Sequence, residues 1–239
     1  MAGANPEERV TWPFVYQRWH ALTFLHWAYD PADVQRLLPA GLDVHTHDGV
    51  AWVGLTPFLL CDFHPPGLPA LPGLSSFPET NVRTYVVDRA GLDGLWFLSL
   101  DVSGLATVLG ARAALWLPYH WAAMTVDDGS TVTYRSRRRW PPTAGHDIVV
   151  EPGSPLSTDE LEARDHFLTG RWRAFTSIAG RLVNVPVEHQ AWPLWSVQVH
   201  QLHEDMLVAA GLPAPEGQPV AHYSPGVDVR FGPPRWGGG

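Results

Sequence analysis

Residues 79–88 read Glu79-Thr80-Asn81-Val82-Arg83-Thr84-Tyr85-Val86-Val87-Asp88. The stretch is rich in valine, threonine and tyrosine and has no glycine or proline, the composition of a β-strand. Successive side chains of a strand point to opposite faces, so Glu79, Asn81, Arg83 and Tyr85 share one face and Thr80, Val82, Thr84 and Val86 the other. One face is apolar or β-branched. The other offers a carboxylate, an amide, a guanidinium and a phenol, which are groups that bind and orient ligands; taken alone, the pattern also fits a strand whose polar side meets solvent. Residues i and i+4 lie roughly 13 Å apart at about 3.3 Å per residue, so Glu79 and Arg83 cannot pair directly. Each needs a partner from another strand or from a ligand, which points to a site assembled from several strands.

Working outward, residues 19–29, 50–60, 94–102, 119–127 and 131–139 repeat the strand signature, the last two joined by the Asp128-Gly129 turn. Further strands are expected near 171–177, 181–188, 193–201 and 226–231. Asp30-Pro31 opens a short helix as N-cap and first helical residue, closed by Pro39 and Gly41. Residues 103–116 read as helical. Ser157-Thr158-Asp159-Glu160 is a capping box for a helix reaching Thr169, and a short helix ends at Gly211. Residues 64–76, with four prolines in the first nine, form an irregular surface loop that serves either as a lid or as a plain connection. About ten strands and four helices dominated by hairpins give an α+β class with a mostly antiparallel sheet, and a sheet of that size curls or closes into a barrel. The expected organisation is one domain over residues 12–232, with flexible termini at 1–11 and 233–239.

Of the 239 residues, 17% are charged, the formal net charge is −8, and all 16 basic residues are arginine. GC-rich codon usage, which favours arginine over lysine, is the expected origin of that bias. With no lysine, Schiff-base catalysis through a side-chain amine is excluded, and covalent pyridoxal phosphate with it. The acidic balance argues against a nucleic-acid partner, and the run Arg135-Ser136-Arg137-Arg138-Arg139 reads as a solvated strand face. Cys61 is the single cysteine, so no intrachain disulfide forms. There is no secretory leader pattern and no apolar stretch of membrane-spanning length, so the expectation is a cytoplasmic protein without a membrane partner.

Other chemistry is weakly signalled. His120 titrates near neutrality, and a lone histidine is more often structural than catalytic. His45 and His47 share a strand side, and His200 and His203 could share a helical face, but zinc needs three or four converging ligands. No nucleophile elbow and no phosphate-binding glycine loop is present. No metal and no cofactor is expected.

The series His26-Trp27, Leu37-Leu38-Pro39-Ala40-Gly41-Leu42, Asp48-Gly49-Val50-Ala51-Trp52-Val53-Gly54, Glu79 to Val86 and Leu117-Pro118-Tyr119 resembles the family catalogued as domain of unknown function 2071. So do His189, Trp192-Pro193-Leu194 and His222-Tyr223-Ser224-Pro225-Gly226-Val227. That family is in turn distantly similar to acetoacetate decarboxylase, which implies a closed, cone-like β-barrel with helices outside and a pocket within. Where the decarboxylase has Pro-Lys-Lys, this chain has Pro118-Tyr119-His120, putting Tyr119 in the nucleophile's place. Glu79 resembles the pocket glutamate, and Arg18 is the candidate for the other functional arginine.

The expectation is therefore a small-molecule pocket in a barrel. Glu79, Arg83 and Tyr119 are the candidate catalytic groups, with Asn81, Tyr85, His120 and Trp27 as ligand contacts. Glu79 would move a proton beside a carbonyl, Arg83 would hold an anionic group and Tyr119 would donate to a carbonyl or enolate oxygen. The rivals are a ligand-binding protein without turnover and an interaction domain whose barrel is filled by its own aromatics. An open cavity at Glu79 separates the first two from the third. The partner is a small molecule, with homo-oligomer formation left open.

Overall fold

A computed structural model describes residues 8–104 and 117–236. The helix expected over 103–116 falls almost wholly outside the described residues. Thirteen strands form one continuous sheet: β1 (Val15–Tyr29), β2 (Leu42–Val44), β3 (Ala51–His64), β4 (Phe77–Asp88), β5 (Asp93–Val102), β6 (Tyr119–Asp128), β7 (Val132–Arg138), β8 (Gly145–Pro155), β9 (Arg173–Ile178), β10 (Arg181–His189), β11 (Trp195–Glu204), β12 (Val220–Phe231) and β13 (Arg235–Trp236). Among the described residues three short α-helices flank it: α1 (Pro31–Gln35), α2 (Ala163–Thr169) and α3 (Met206–Ala209).

The sheet closes twice. Pairing of β4 with β5 joins β5, β6, β7, β8, β11, β12, β1, β3 and β4 into a nine-strand mixed barrel. Pairing of β10 with β12 closes a second ring through β9. Strands β12, β1, β3, β4 and β5 are thus a wall shared by two compartments. The pairings of β5 with β6 and with β9 are parallel, an exception to the antiparallel pattern expected.

Both faces of the wall are consequently buried. Thr80 and Val82 face the nine-strand barrel, whose core includes Leu25, Trp27, Val53, Leu55, Tyr134, Ile148 and Val150. Glu79, Asn81, Arg83 and Tyr85 face the other compartment, beside Phe24, Phe58, Val187, Val227 and Val229. On β1 the alternation is broken at Ala21, φ 46, just after His20, which pairs with Gly226 at φ 137. A Cβ at Gly226 would meet the Trp19 carbonyl at 2.1 Å, so only glycine fits there. The paired irregularity turns both Trp19 and Phe24 toward the second compartment, where each packs on Trp192.

Several local expectations differ from the structure. Strand β8 was not expected, because Gly145, Pro152, Gly153 and Pro155 read as turn residues. The Ser157 box caps a single 3-10 turn, Thr158–Glu160, and α2 has its own box from Glu162 and Asp165. His200 and His203 lie on a strand and not on a helix, and an irregularity between Val199 and Gln201 leaves both of them exposed. In the basic run Arg135, Arg137 and Arg139 are exposed, but Arg138 points inward and grips Asp101 in the barrel core. Val10 is buried and donates to Glu188, and β13 pairs with β10, so the described parts of both ends lie on the fold. The proline-rich loop joins β3 to β4 shortly before Glu79, with Leu68, Leu71 and Leu74 exposed.

Candidate functional site

The second compartment carries an elongated polar face along β4 with two ends. At one end lies Glu79, whose β3 neighbour is Phe58 and whose β5 neighbour is Val102. Tyr119 enters from the start of β6, where the parallel pairing Leu100↔Tyr119 sets it on the same face. Its hydroxyl donates to the Glu79 carboxyl. Burial pushes the Glu79 carboxyl up to about 8, aided by Asp101 behind the wall and opposed by the Tyr119 hydrogen bond. Glu79 is therefore mostly protonated at neutral pH, and burial also holds the Tyr119 phenol neutral by raising it well above its ordinary range.

Arg83 marks the other end. Its Nη2 donates to the Leu168 carbonyl at 3.3 Å and its guanidinium stands 5.1 Å from the Phe24 ring centroid. Tyr85 donates to the same carbonyl at 2.6 Å and lies 2.7 Å from His26 Nε2. Leu168 sits in the last turn of α2, where helical carbonyls lack intrahelical partners, so the helix end supplies an acceptor for both β4 side chains. His26 is fully buried, and burial together with the Arg83 charge holds its imidazole well below the ordinary range. His189 from β10 lies between Trp172 and Trp192, with ring centroids at 4.5 and 4.7 Å, and its Nδ1 donates to the Gln190 carbonyl. His222 from β12 has Nε2 3.6 Å from Asp165 of α2.

Several polar atoms on this surface have no hydrogen-bond partner among the described residues, among them Glu79 Oε2, Asn81 Oδ1, Arg83 Nε and His26 Nδ1. Buried polar groups are nearly always paired, so such a cluster demands a ligand or water. Glu79, Asn81 and Arg83 keep 5–6% of their surface reachable by water, whereas Thr80, Val82, Thr84 and Val86 behind them keep 0–1%. On β4 itself, then, the side chains facing the second compartment are the ones that keep contact with water-sized space. Two open pockets, of about 520 and 340 Å³, lie elsewhere and touch neither Glu79, Asn81, Arg83 nor His26.

Of the residues singled out from sequence, the structure brings Glu79 and Tyr119 into contact and lines up Asn81, Arg83 and Tyr85 on the same face. It separates two others. Trp27 lies on the opposite side of the wall in the nine-strand core, its Nε1 donating to the Gly217 carbonyl at 3.4 Å. His120 pairs in register with Asp101 and so faces away from Tyr119. Arg18, suggested by resemblance, is exposed and paired with Asp228 at 2.8 Å. His26, Asp165 and the contacts of His189 and His222 were missed as site groups; for His26 the signal was its even spacing from Phe24 on an aromatic strand. No group of three or more His, Cys, Asp or Glu among the described residues is placed to hold a metal ion.

The fold has solved counterparts. An acetoacetate decarboxylase-like enzyme from Sphingomonas wittichii RW1 superposes with a TM-score of 0.63 at 14% identity, over 97% of this chain and 96% of that one. Acetoacetate decarboxylase from Legionella pneumophila gives 0.64 at 14% identity, over 98% and 91%. The enduracididine biosynthesis enzyme MppR, complexed with pyruvate, gives 0.67 at 13% identity, over 96% and 93%. At these identities the likeness is one of fold. The uncharacterized protein YqjF of Bacillus subtilis (strain 168) is 34% identical over 220 residues, 92% of this chain and 90% of that protein. Residues 16–228 match the family described as an uncharacterized conserved protein, domain of unknown function 2071, and the chain belongs to that family.

Proposed function

We propose that the second compartment binds a small anionic carbonyl compound and moves a proton beside its carbonyl group. One observation carries the reading: the Arg83 guanidinium, 5% exposed, has no carboxylate partner among the described residues. The other buried arginines are paired, Arg138 with Asp101 at 2.8 Å and Arg171 with Asp93 at 3.2 Å. An uncompensated buried cation is costly, and a ligand carboxylate would offset that cost by taking its free Nε–H in a charge-assisted hydrogen bond. Asn81 Oδ1 would accept from the ligand, and Glu79, protonated and oriented by Tyr119, would donate toward a carbonyl oxygen. MppR is a fold neighbour complexed with such a compound, pyruvate. With no lysine in the chain, an imine on a side chain is not available to this chemistry.

One rival has an observation in its favour. Trp19, Trp192, Phe24 and Phe58 pack along the same compartment, with centroid distances of 5.0–5.8 Å, as they would in a barrel filled by its own side chains. Thermal melts with a panel of small carboxylates, pyruvate included, with and without carbonyl groups, separate the two. We expect at least one carbonyl acid to raise the melting temperature of the native protein and to have no effect on Arg83→Met, which should itself melt no lower. A markedly less stable Arg83→Met, with no carboxylate shifting the native protein, would favour the filled barrel.

A further inference from the structure

Gly54 of β3 pairs with His26 of β1 on one side and Arg83 of β4 on the other. A Cβ at Gly54 would stand 2.8 Å from His26 Nε2, 2.9 Å from its Cδ2 and 3.6 Å from Arg83 Cγ. The missing side chain is what lets the imidazole lie across β3, with its Cδ2–Nε2 edge on the wall, and reach the Tyr85 hydroxyl at 2.7 Å. Proton positions follow from the acceptor at the end of this chain. A carbonyl only accepts, so the single phenolic proton of Tyr85 lies on the 2.6 Å bond to Leu168. The Tyr85 oxygen must then accept from His26, which makes Nε2 the protonated nitrogen and Nδ1 the bare one. Nδ1 is on the ring edge turned away from Gly54, in a side chain 0% exposed, with no partner among the described residues.

We propose that His26 Nδ1 is the base of the site, taking a proton from carbon in a carbonyl acid held by the adjacent Arg83. The proposal rests on the anion-site reading above. In the step, the C–H bond next to the carbonyl breaks and its proton passes to Nδ1. The bonding pair becomes the C=C of the enolate, the carbonyl pair moves onto oxygen, and the new negative charge lies in the field of Arg83. The reverse step returns a proton, by then exchanged with solvent. Tyr85 and the Leu168 carbonyl act as positioning groups, because they fix which nitrogen is bare. The charged and titratable groups around the ring are Arg83 and Tyr85 from β4 and His222 from β12, whose own carboxylate neighbour is Asp165. Burial and the Arg83 charge keep the imidazole neutral at neutral pH, so that Nδ1 keeps a free lone pair to accept a proton.

Two measurements test this. The first reads the nitrogen shifts of His26 in 15N-labelled protein without ligand, with His26→Gln identifying the signal. The Nε2–H tautomer is expected from pH 6 to 8; an Nδ1–H tautomer or an imidazolium overturns the proposal whatever the pocket binds. The second follows exchange of the pyruvate methyl protons in D2O, with pyruvate affinity measured alongside. We expect exchange by the native protein, at least 100-fold slower exchange by His26→Gln, and slower exchange by Tyr85→Phe, with affinity kept in both. Exchange by His26→Gln at the native rate, or pyruvate bound by the native protein without any exchange, overturns the proposal and leaves the anion site standing. Pyruvate failing to bind strikes the anion-site reading instead, and the tautomer then decides the matter for His26 by itself.

Discussion

The two faces of β4 contain the same kinds of chemistry and treat them in opposite ways. Toward the nine-strand barrel, Thr80 bonds His146 Nε2 at 2.9 Å, and the buried charges Asp101 and Arg138 are locked in a bidentate pair. Toward the second compartment, Glu79, Asn81 and Arg83 each keep an atom without a partner. The β4 side chains of the barrel face have their polar atoms paired, although Ser99 and Ser136 of the same barrel each keep a hydroxyl without a partner among the described residues; those of the other face leave them for something else. A protein that holds unpaired polar groups on one side of a strand and not on the other is spending stability at a particular place, the usual mark of a functional site.

The largest effect should come from breaking the satisfied face. Asp101→Asn strands the Arg138 guanidinium, 1% exposed, and should cost about 3–5 kcal/mol in urea unfolding. Arg83→Met removes a cation that has no carboxylate and should be neutral or stabilising. The reverse order of stabilities would erase the contrast between the faces.

Acid should next strike one histidine on each side. His146 in the barrel and His189 in the second compartment are held at about 4, below the ordinary 6.5, chiefly by burial. Their neutral forms are favoured in the folded state, so stability is fully present above pH 6.5 and falls as pH drops toward 4. The loss should be on the order of 3 kcal/mol for each. Melting temperatures between pH 4 and 7 check this, and a flat profile would contradict it.

Adjacent residues on β4 should then diverge. Thr80→Val leaves His146 Nε2 unpaired and should cost about 1–3 kcal/mol, while Asn81→Leu removes an unpartnered carbonyl and should change stability by less than about 1 kcal/mol. Equal costs would mean that Asn81 is as structural as Thr80.

The smallest effect at neutral pH is that of Glu79→Gln. A carboxyl raised from 4.5 to about 8 favours the folded state in its protonated form, so its contribution is fully present below pH 4.5 and is lost as pH rises through 8. The glutamine variant should melt at nearly the native temperature at pH 6 and gain on the native protein toward pH 9. Since Glu79 bonds Tyr119 and not an arginine, the substitution strands no charge. A large loss at pH 6 would make Glu79 a structural group.

Much of this was legible in residues 79–86, because the period of two in a strand is local and survives any tertiary setting. It named the Glu79, Asn81, Arg83, Tyr85 face correctly as a unit. The same rule, applied to neighbours in a motif, explains what went astray. Trp27 follows His26, and His120 follows Tyr119, so in each pair the second residue must point to the other side of the wall. Asp101 and Arg138 were hidden for a different reason: their partnership spans 37 residues, and Arg138 stands inside what reads as a solvated basic run.

Sequence by itself determined which side chains travel together on β4 and, through the absence of lysine, one mechanism the chain cannot use. Tertiary structure alone decided that both faces of that strand are buried, and which of them leaves the polar atoms of β4 without partners. The β4–β5 and β10–β12 pairings close two rings around a shared wall, and such pairings are set by registers between distant segments, which no local period encodes. The bare nitrogen of His26 has the same origin. It depends on a glycine from β3, a phenol from β4 and a carbonyl from α2, brought within hydrogen-bond reach only by the closed wall.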